Sequence, residues 1–155
     1  MKIELSVLFK EEVYAFCLDT LSRKITALRD LLQDLSTGMR NDSKSTAGDK
    51  HETAQAMAQL EQEKIGRQLK ELLEQKTVLE STDIQIHAPH VIKGSLVKTD
   101  SACFFMSIPL GKILLKEESI IVLSPQSPLG LKLMGMRAGE STNINGLNYV
   151  IESIL

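Results

Sequence analysis

The chain has 155 residues, a formal net charge of −2 at pH 7, 43% hydrophobic and 25% charged residues, and 4% aromatic residues with no tryptophan. This length suits one or two small domains and is too short for a large enzyme. The slight acidity argues against strong binding of nucleic acid through its phosphates, and the few aromatic side chains argue against a platform for base stacking.

The sequence shows no sign of export or membrane insertion. No run approaches the roughly 18 apolar residues of a membrane span, and residues 1–9 are too short for the apolar part of a secretory signal. In the absence of such a signal, Cys17 and Cys103 are interpreted as reduced thiols rather than as a disulfide. We therefore expect a soluble, cytoplasmic protein without membrane contact.

Residues 14–39 carry apolar side chains at alternating steps of four and three, which is the heptad pattern of a coiled-coil seam. Charged residues fill the outward positions between them. This pattern predicts one long amphipathic helix. The seam residues are Tyr14, Leu18, Leu21, Ile25, Leu28, Leu32, Leu35 and Met39.

A second and weaker helical pattern covers residues 58–79, with polar residues at two of its seam positions. Met57 and Leu60 lie on a neighbouring flank, which predicts looser pairing at that end. The residues between the two patterns are polar turn and cap types. We therefore predict an antiparallel coiled-coil hairpin over residues 1–81, with its tip at about residues 41–53.

After the hairpin the sequence changes to short β-prone runs separated by turn residues. Asn145-Gly146 predicts a type I′ hairpin turn. Ser127 can cap a short helix, Pro128 suits its first position, and Gly135 can end it in the left-handed conformation. We therefore predict an α+β fold, in which the hairpin is followed by a small sheet domain with one short helix. This domain is predicted over residues 82–155, with strands at 95–99, 103–108, 119–123 and 149–154.

Asp49 and Glu52 lie three residues apart near the start of the second helix. In one interpretation they form a capping box, with Asp49 as the N-cap, and both carboxylates favour the positive end of the helix dipole. In the other interpretation they are exposed ligands for a divalent cation. Mg²⁺ takes one or two protein carboxylates together with phosphate and water oxygens, so a partner would have to supply the other ligands. The two roles are compatible because a capping carboxylate keeps one oxygen free.

Other residues with chemical potential have simpler interpretations. His87 and His90 have the spacing H-x-x-H, but no third ligand is near in sequence, and a linker is favoured. Cys103 lies in a β-prone run without an adjacent base, which favours a packed thiol over a nucleophile. The sequence contains neither a phosphate-binding loop nor a G-x-S-x-G motif. No self-contained catalytic site is therefore expected.

Two segments resemble motifs of the bacterial Gre transcript-cleavage factors. Residues 48–54, G-D-K-H-E-T-A, resemble the G-D-x-x-E-N-A tip of these factors. Residues 127–140, S-P-L-G-L-K-L-M-G-M-R-A-G-E, resemble their C-terminal segment S-P-[IL]-[AG]-x-x-L-[IL]-G-x-x-x-G-[DE]. The order of hairpin, linker and sheet domain also matches, so the resemblance covers nearly the whole chain from about residue 18. It implies that the second domain is FKBP-like.

The resemblance implies an accessory factor of RNA polymerase rather than an enzyme. Gre factors bind the rim of the polymerase secondary channel through their C-terminal domain, and their coiled coil passes down the channel. Acids at the tip help to hold the second Mg²⁺ of the polymerase, which hydrolyses the 3′ end of a backtracked transcript. By position, Asp49 and Glu52 are this pair, in indirect contact with the nascent RNA, and the chain alone binds no cofactor. Part of the docking surface is expected at Ser127, Pro128, Leu129 and Gly130.

Departures from the family pattern leave other functions open. The family tip continues E-N-A-E-Y, whereas this chain has E-T-A-Q-A over residues 52–56. A regulator that occupies the channel without stimulating cleavage is therefore the main alternative. A prolyl isomerase or chaperone built on the FKBP-like domain is a further alternative, which the shortage of aromatic residues for a proline pocket disfavours.

Overall fold

The computed structural model describes residues 4–42 and 48–155, and for residues 41, 42 and 48–51 it describes the backbone alone. The described residues form two long helices, four strands, a short helix and two further strands. The predicted α+β class, with a helical hairpin followed by a sheet and one short helix, is confirmed. The elements are α1 (Val7–Asp42), α2 (Gly48–Glu80), β1 (Leu96–Thr99), β2 (Cys103–Met106), β3 (Gly111–Leu115), β4 (Glu118–Leu123), α3 (Pro128–Leu133), β5 (Ser141–Ile144) and β6 (Leu147–Ile154).

The chain divides into two compact units. The sheet unit comprises Met1–Asp19 and Thr77–Leu155, and the hairpin unit comprises Thr20–Lys76. The start of α1 and the end of α2 therefore belong with the sheet. Val13 of α1 and Leu79 of α2 are both fully buried, as expected for residues that contribute to the core of that unit.

The heptad pattern explains which residues of the hairpin unit are buried. Leu21 and Ile25 of α1 and Ile65 of α2 are buried, because an apolar stripe on a helix is driven out of water. From Leu28 to Met39 the seam positions of α1 are only half-buried. No helix within the described ranges combines the length and apolarity needed to cross a bilayer.

The strand order of the six-stranded sheet is β3-β4-β2-β1-β6-β5. Neighbouring strands are antiparallel except for β2 and β4, which run parallel with Phe104 opposite Ile121. This parallel pair arises because β3 lies outside β4 at the sheet edge and returns the chain to it. Phe104, Ile151 and Leu133 of α3 belong to one buried cluster, so α3 covers part of the sheet.

The predicted strands are confirmed as β1, β2, β4 and β6, whereas β3 and β5 were not predicted. β5 reads Ser-Thr-Asn-Ile and has no buried residue, so it carries no apolar signal of its own. β3 begins at Gly111, and only Ile113 in it is buried. Both are edge strands that form by pairing with a stronger neighbour.

Two hairpin turns have the same backbone form but different sequences. Asn145 and Gly146 have φ values of 51° and 81° between the paired residues of β5 and β6, so the predicted type I′ turn is confirmed. Lys116 and Glu117 join β3 to β4 with φ values of 51° and 65°. Neither residue favours positive φ, so this second turn gives no sequence signal and is held by its surroundings.

Candidate functional site

Helix α2 begins at Gly48, so Asp49 and Glu52 both lie in its first two turns. Because Gly48 is already helical, Asp49 is the second residue of α2, and the predicted N-cap position of Asp49 is therefore wrong. The side chain of Asp49 is outside the described residues. The side chain of Glu52 is exposed. Residues three apart in a helix lie on adjoining turns of one face, which brings the two acidic positions near each other.

This arrangement can supply at most part of a cation site. Two carboxylates near the N-terminus of a helix suit a Mg²⁺ ion that already has phosphate and water ligands. This is the second interpretation that the sequence allowed for Asp49 and Glu52. Within residues 4–42 and 48–155, as far as side chains are described, no group of three or more His, Cys, Asp or Glu could hold a metal ion.

The residues after Glu52 differ in exposure. Thr53, Ala54 and Ala56 are exposed and Gln55 is half-buried. Two large apolar side chains follow on the exposed side of α2, where Met57 is 67% and Leu60 65% exposed. They match the neighbouring flank that the sequence pattern indicated. A groove of about 230 Å³ is lined by Leu31, Asp34, Leu35, Gly38, Met39 and Ala58.

The predicted docking segment in the sheet unit is the capped start of α3. Ser127 is the N-cap, and its hydroxyl accepts a hydrogen bond from the Gly130 amide at 3.0 Å and donates one to the Ser124 carbonyl at 2.7 Å. Pro128 follows at the start of the helix. The predicted cap and first helical residue are therefore confirmed. Gly135 has φ 82°, which agrees with its predicted left-handed conformation after the helix.

Exposure separates the four predicted docking residues into two kinds. Gly130 is buried, and a Cβ there would overlap the carbonyl oxygen of Ser124, so this position maintains the fold. Leu129 is half-buried against the core of the sheet unit. Pro128 is exposed, and so is Leu131, at 66%, which the sequence did not single out. Pro128 and Leu131 are thus the apolar residues of α3 that are exposed to a partner.

A polar cleft of about 420 Å³ opens in the sheet unit. The sequence did not indicate it, because its residues come from four strands, β1, β2, β4 and β6, and from the β1–β2 and β3–β4 turns. The Nζ atom of Lys98 lies 3.5 Å from Oε2 of Glu152, so part of its acidic charge is balanced. No aromatic residue lines the cleft, and the remaining lining residues are Thr99, Asp100, Ser101, Ala102, Cys103, Glu117, Glu118 and Ser119.

Both cysteines are free and buried, in agreement with the interpretation as packed thiols. Burial raises the pKa of the Cys17 thiol to about 12. Burial, with a smaller contribution from Glu118, likewise raises the pKa of the Cys103 thiol to about 12, although Lys98 acts in the opposite direction. The reactive species is the thiolate, so neither cysteine is suited to nucleophilic chemistry near neutral pH.

One buried charge was not foreseen from the sequence. Lys10 of α1 is 1% exposed, and its Nζ atom has no hydrogen-bond partner among the described residues. Burial lowers the pKa of Lys10, and the carboxylate of Asp83 partly opposes this effect. No pattern in the sequence distinguishes this lysine from a surface lysine.

The remaining candidate ligands do not converge. His87 is exposed, and the backbone of His90 forms an isolated antiparallel bridge with Arg137. Both lie outside the helices and strands but within the sheet unit, so they do not form a linker between the two units. Comparisons with protein-family models, curated proteins and solved structures gave no match to this chain.

Proposed function

We propose that this protein binds RNA polymerase in its secondary channel and promotes cleavage of backtracked transcripts. Asp49 and Glu52 then assist the Mg²⁺ of the polymerase, and the chain is an accessory factor rather than an enzyme. The observation that carries the proposal is the position of both acids in the first turns of α2, directly after the connection between two long helices. The resemblance of the tip and α3 segments to Gre factors supplies the partner.

The dimensions of the helices support this role. α1 has 36 residues and α2 has 33, so each is roughly 50 Å long at a rise of about 1.5 Å per residue. Paired helices of this length can carry two carboxylates into a narrow, deep site. Glu52 is exposed at the end where α2 begins, so its oxygens are free to reach a cation there.

The chemistry required of the two acids is modest. The polymerase holds its Mg²⁺ and the transcript phosphates, and the added carboxylates supply negative oxygen ligands that favour a second cation. Two metal ions stabilise the attacking and leaving oxygens during phosphoryl transfer. In this proposal Asp49 and Glu52 complete the site only when the chain occupies the channel.

The test is a cleavage assay on stalled elongation complexes of the cognate polymerase. Asp49→Asn with Glu52→Gln removes both charges with little change in side-chain shape, and we expect at least a tenfold loss of cleavage stimulation with retained binding. Glu61→Gln is the matched control, because Glu61 is an exposed acid further along α2. Equal cleavage by the wild type and the double variant would rule out the metal-assisting role.

The sequence after Glu52 favours one alternative, a channel-binding regulator that does not stimulate cleavage. Thr53, Gln55 and Ala56 stand where the family tip has Asn, Glu and Tyr, so an amide, an acid and an aromatic ring are lost. This alternative predicts polymerase binding and altered transcription that persist in the double variant. A pull-down with the cognate polymerase tests both functions, since failure to bind removes them together.

The docking surface has its own test. Because Pro128 and Leu131 are exposed while Gly130 is buried, we expect Pro128→Ala with Leu131→Ala to weaken polymerase binding without loss of folding. Leu114→Ala on β3 is the control, since Leu114 is 65% exposed on a different part of the sheet unit. A similar loss of binding in both variants would contradict docking through α3.

An isomerase function has little support in the sheet unit. The cleft lined by Lys98 and Glu152 has no aromatic lining, and Phe104 and Phe105 are fully buried in the core. A proline pocket in an isomerase needs apolar, ring-bearing walls, which this cleft does not provide. Acceleration of prolyl isomerisation in a model peptide would restore this alternative.

A further inference from the structure

The first turns of α2 present the weaker of two neighbouring stripes to α1. The inward positions near the start of α2 are held by Gln55 and Ala58, which are half-buried. The residue before each of them, Ala54 and Met57, is more apolar and is exposed. The exposed pair, Ala54 and Met57, is therefore more apolar than the pair that faces the seam, Gln55 and Ala58.

The seam has room for a larger side chain at Ala58. The groove of about 230 Å³ beside Ala58 is lined mainly by Leu31, Leu35 and Met39, and no atom lies within 4 Å of the point where Gly38 lacks a Cβ. Alanine contributes one methyl group to this space. A methionine side chain is long and adaptable, and it fills gaps of irregular shape well.

A one-residue change of register would exchange the two stripes. Consecutive residues of an α-helix are turned by about 100°, so such a shift brings Ala54 and Met57 into the positions of Gln55 and Ala58. The exchange buries the thioether of Met57 and releases an amide and a small side chain to water. Apolar burial thus favours the second register.

The rest of α2 can keep its place during this exchange. A π-bulge inserts one residue into a helical turn and rotates the helix before it relative to the helix after it. If the bulge lies between Ala58 and Gln62, the buried Ile65 stays in the seam. The seam position in this turn is held by the polar Gln62, so a bulge here does not displace a large apolar side chain from the seam. Two registers close in free energy require that the strain of such a bulge offset the gain from burying Met57.

We propose that the first turns of α2 exchange between two registers, one with Ala58 in the groove and one with Met57 in the groove. Glu52 turns by about 100° around the helix axis between them. The exchange is a conformational switch built into the hairpin unit, and it changes the direction in which the acidic tip presents its carboxylate. Its meaning for cleavage rests on the function proposed above, whereas the exchange itself does not.

The test is methyl NMR of the full chain labelled at the methionine ε-carbons. Helix rearrangements of this kind fall in the microsecond-to-millisecond range. We expect relaxation dispersion or a second resolved signal for Met57, and for Met39 in the groove wall. Ala58→Leu fills the groove in the present register and abolishes the exchange. Met57→Gln removes the apolar side chain that favours the other register, so the exchange at Met39 is also lost.

Two methionines of the sheet unit, Met134 and Met136, are the internal controls, and their signals remain unchanged in both variants. A single Met57 signal without dispersion in the wild type would overturn the proposal. So would exchange that persists at full size in Ala58→Leu. A wild-type chain that exchanges but does not stimulate cleavage would contradict the proposed function and leave the two registers established.

Discussion

The ammonium group of Lys116 lies 2.9 Å from each carboxylate oxygen of Glu12, so the β3–β4 turn is tied to α1 within the sheet unit. Both residues of this turn have positive φ although neither is glycine or asparagine. The ion pair and the strained turn occur together, and the contact with α1 helps to hold Lys116 in its unfavourable conformation.

We therefore expect Lys116→Ala to lower the free energy of unfolding by about 0.5–1 kcal/mol. The effect is limited because the Lys116 side chain is 66% exposed, and high salt weakens it by screening. Urea unfolding at low and high ionic strength measures the difference. Lys112→Ala on the neighbouring strand is the control, and an equal loss in the two variants would contradict a specific contribution from the pair.

Burial of Lys10 predicts a stabilising substitution. Lys10→Met keeps the length of the side chain and removes a buried amine without a hydrogen-bond partner, so we expect the free energy of unfolding to rise by roughly 1–3 kcal/mol. Thermal or urea unfolding near pH 7 measures this change. Lys112→Met, at an exposed site, is expected to have little effect. A Lys10→Met variant less stable than the wild type would show that the ammonium group has a partner in solution.

The same residue predicts a dependence on pH with a definite sign. Burial lowers the pKa of Lys10 in the folded chain below its ordinary value of 10.5, with Asp83 opposing the shift. At a pH below the pKa of the folded chain, Lys10 is protonated in both the folded and the unfolded state, and the folded chain has the full cost of burying the ammonium group. Between the two pKa values the unfolded state holds the proton and the folded state does not, so the free energy of unfolding rises with pH. The advantage of Lys10→Met over the wild type therefore shrinks as the pH rises through this window. An advantage that is constant with pH would contradict this explanation.

Two glycines predict opposite responses to alanine. Gly130→Ala places a Cβ against the Ser124 carbonyl oxygen, and we expect a loss of roughly 2–4 kcal/mol in the free energy of unfolding. The Cβ of Gly66→Ala in α2 has no atom within 4 Å. We expect this variant to raise the free energy of unfolding by about 0.5–1 kcal/mol, because alanine restricts the unfolded chain and favours helix. Thermal unfolding of the two variants provides the comparison. A tolerated Gly130→Ala would mean that the capped turn before α3 can open.

The cysteines predict low reactivity in the folded state. Because burial raises the pKa of both thiols to about 12, a thiol reagent at pH 8 is expected to label neither Cys17 nor Cys103 on the timescale of minutes. After denaturation both react. Rapid labelling of one thiol in the native chain would identify local opening around that residue.

Local signals allowed much of the fold to be predicted from the sequence. The heptad spacing marked the buried seam, and Ser127 with Pro128 marked the start of α3. Asn145-Gly146 specified its turn because both residues tolerate positive φ. Each of these features depends on residues that are close together along the chain.

Features that depend on distant residues were not predictable in the same way. The Lys116-Glu117 turn lacks a glycine and is stabilised by a residue more than a hundred positions away. Lys10 is buried by the packing of the sheet unit, which its neighbours in sequence do not reveal. The candidate site divides similarly, since the acids could be placed at the start of α2, whereas the buried role of Gly130 became visible only from its approach to Ser124.

The division into units has a consequence for the order of folding. The sheet unit is made of two stretches of chain separated by the 57 residues from Thr20 to Lys76. Bringing Asp19 and Thr77 together from a flexible chain carries a large closure entropy. If the hairpin forms first, most of this entropy cost has already been met, because the pairing of α1 with α2 brings Asp19 and Thr77 close together. We therefore expect the hairpin to form before the sheet. Substitutions that weaken the seam at Leu21 and Ile25 should then slow the formation of the sheet, although both residues lie outside it.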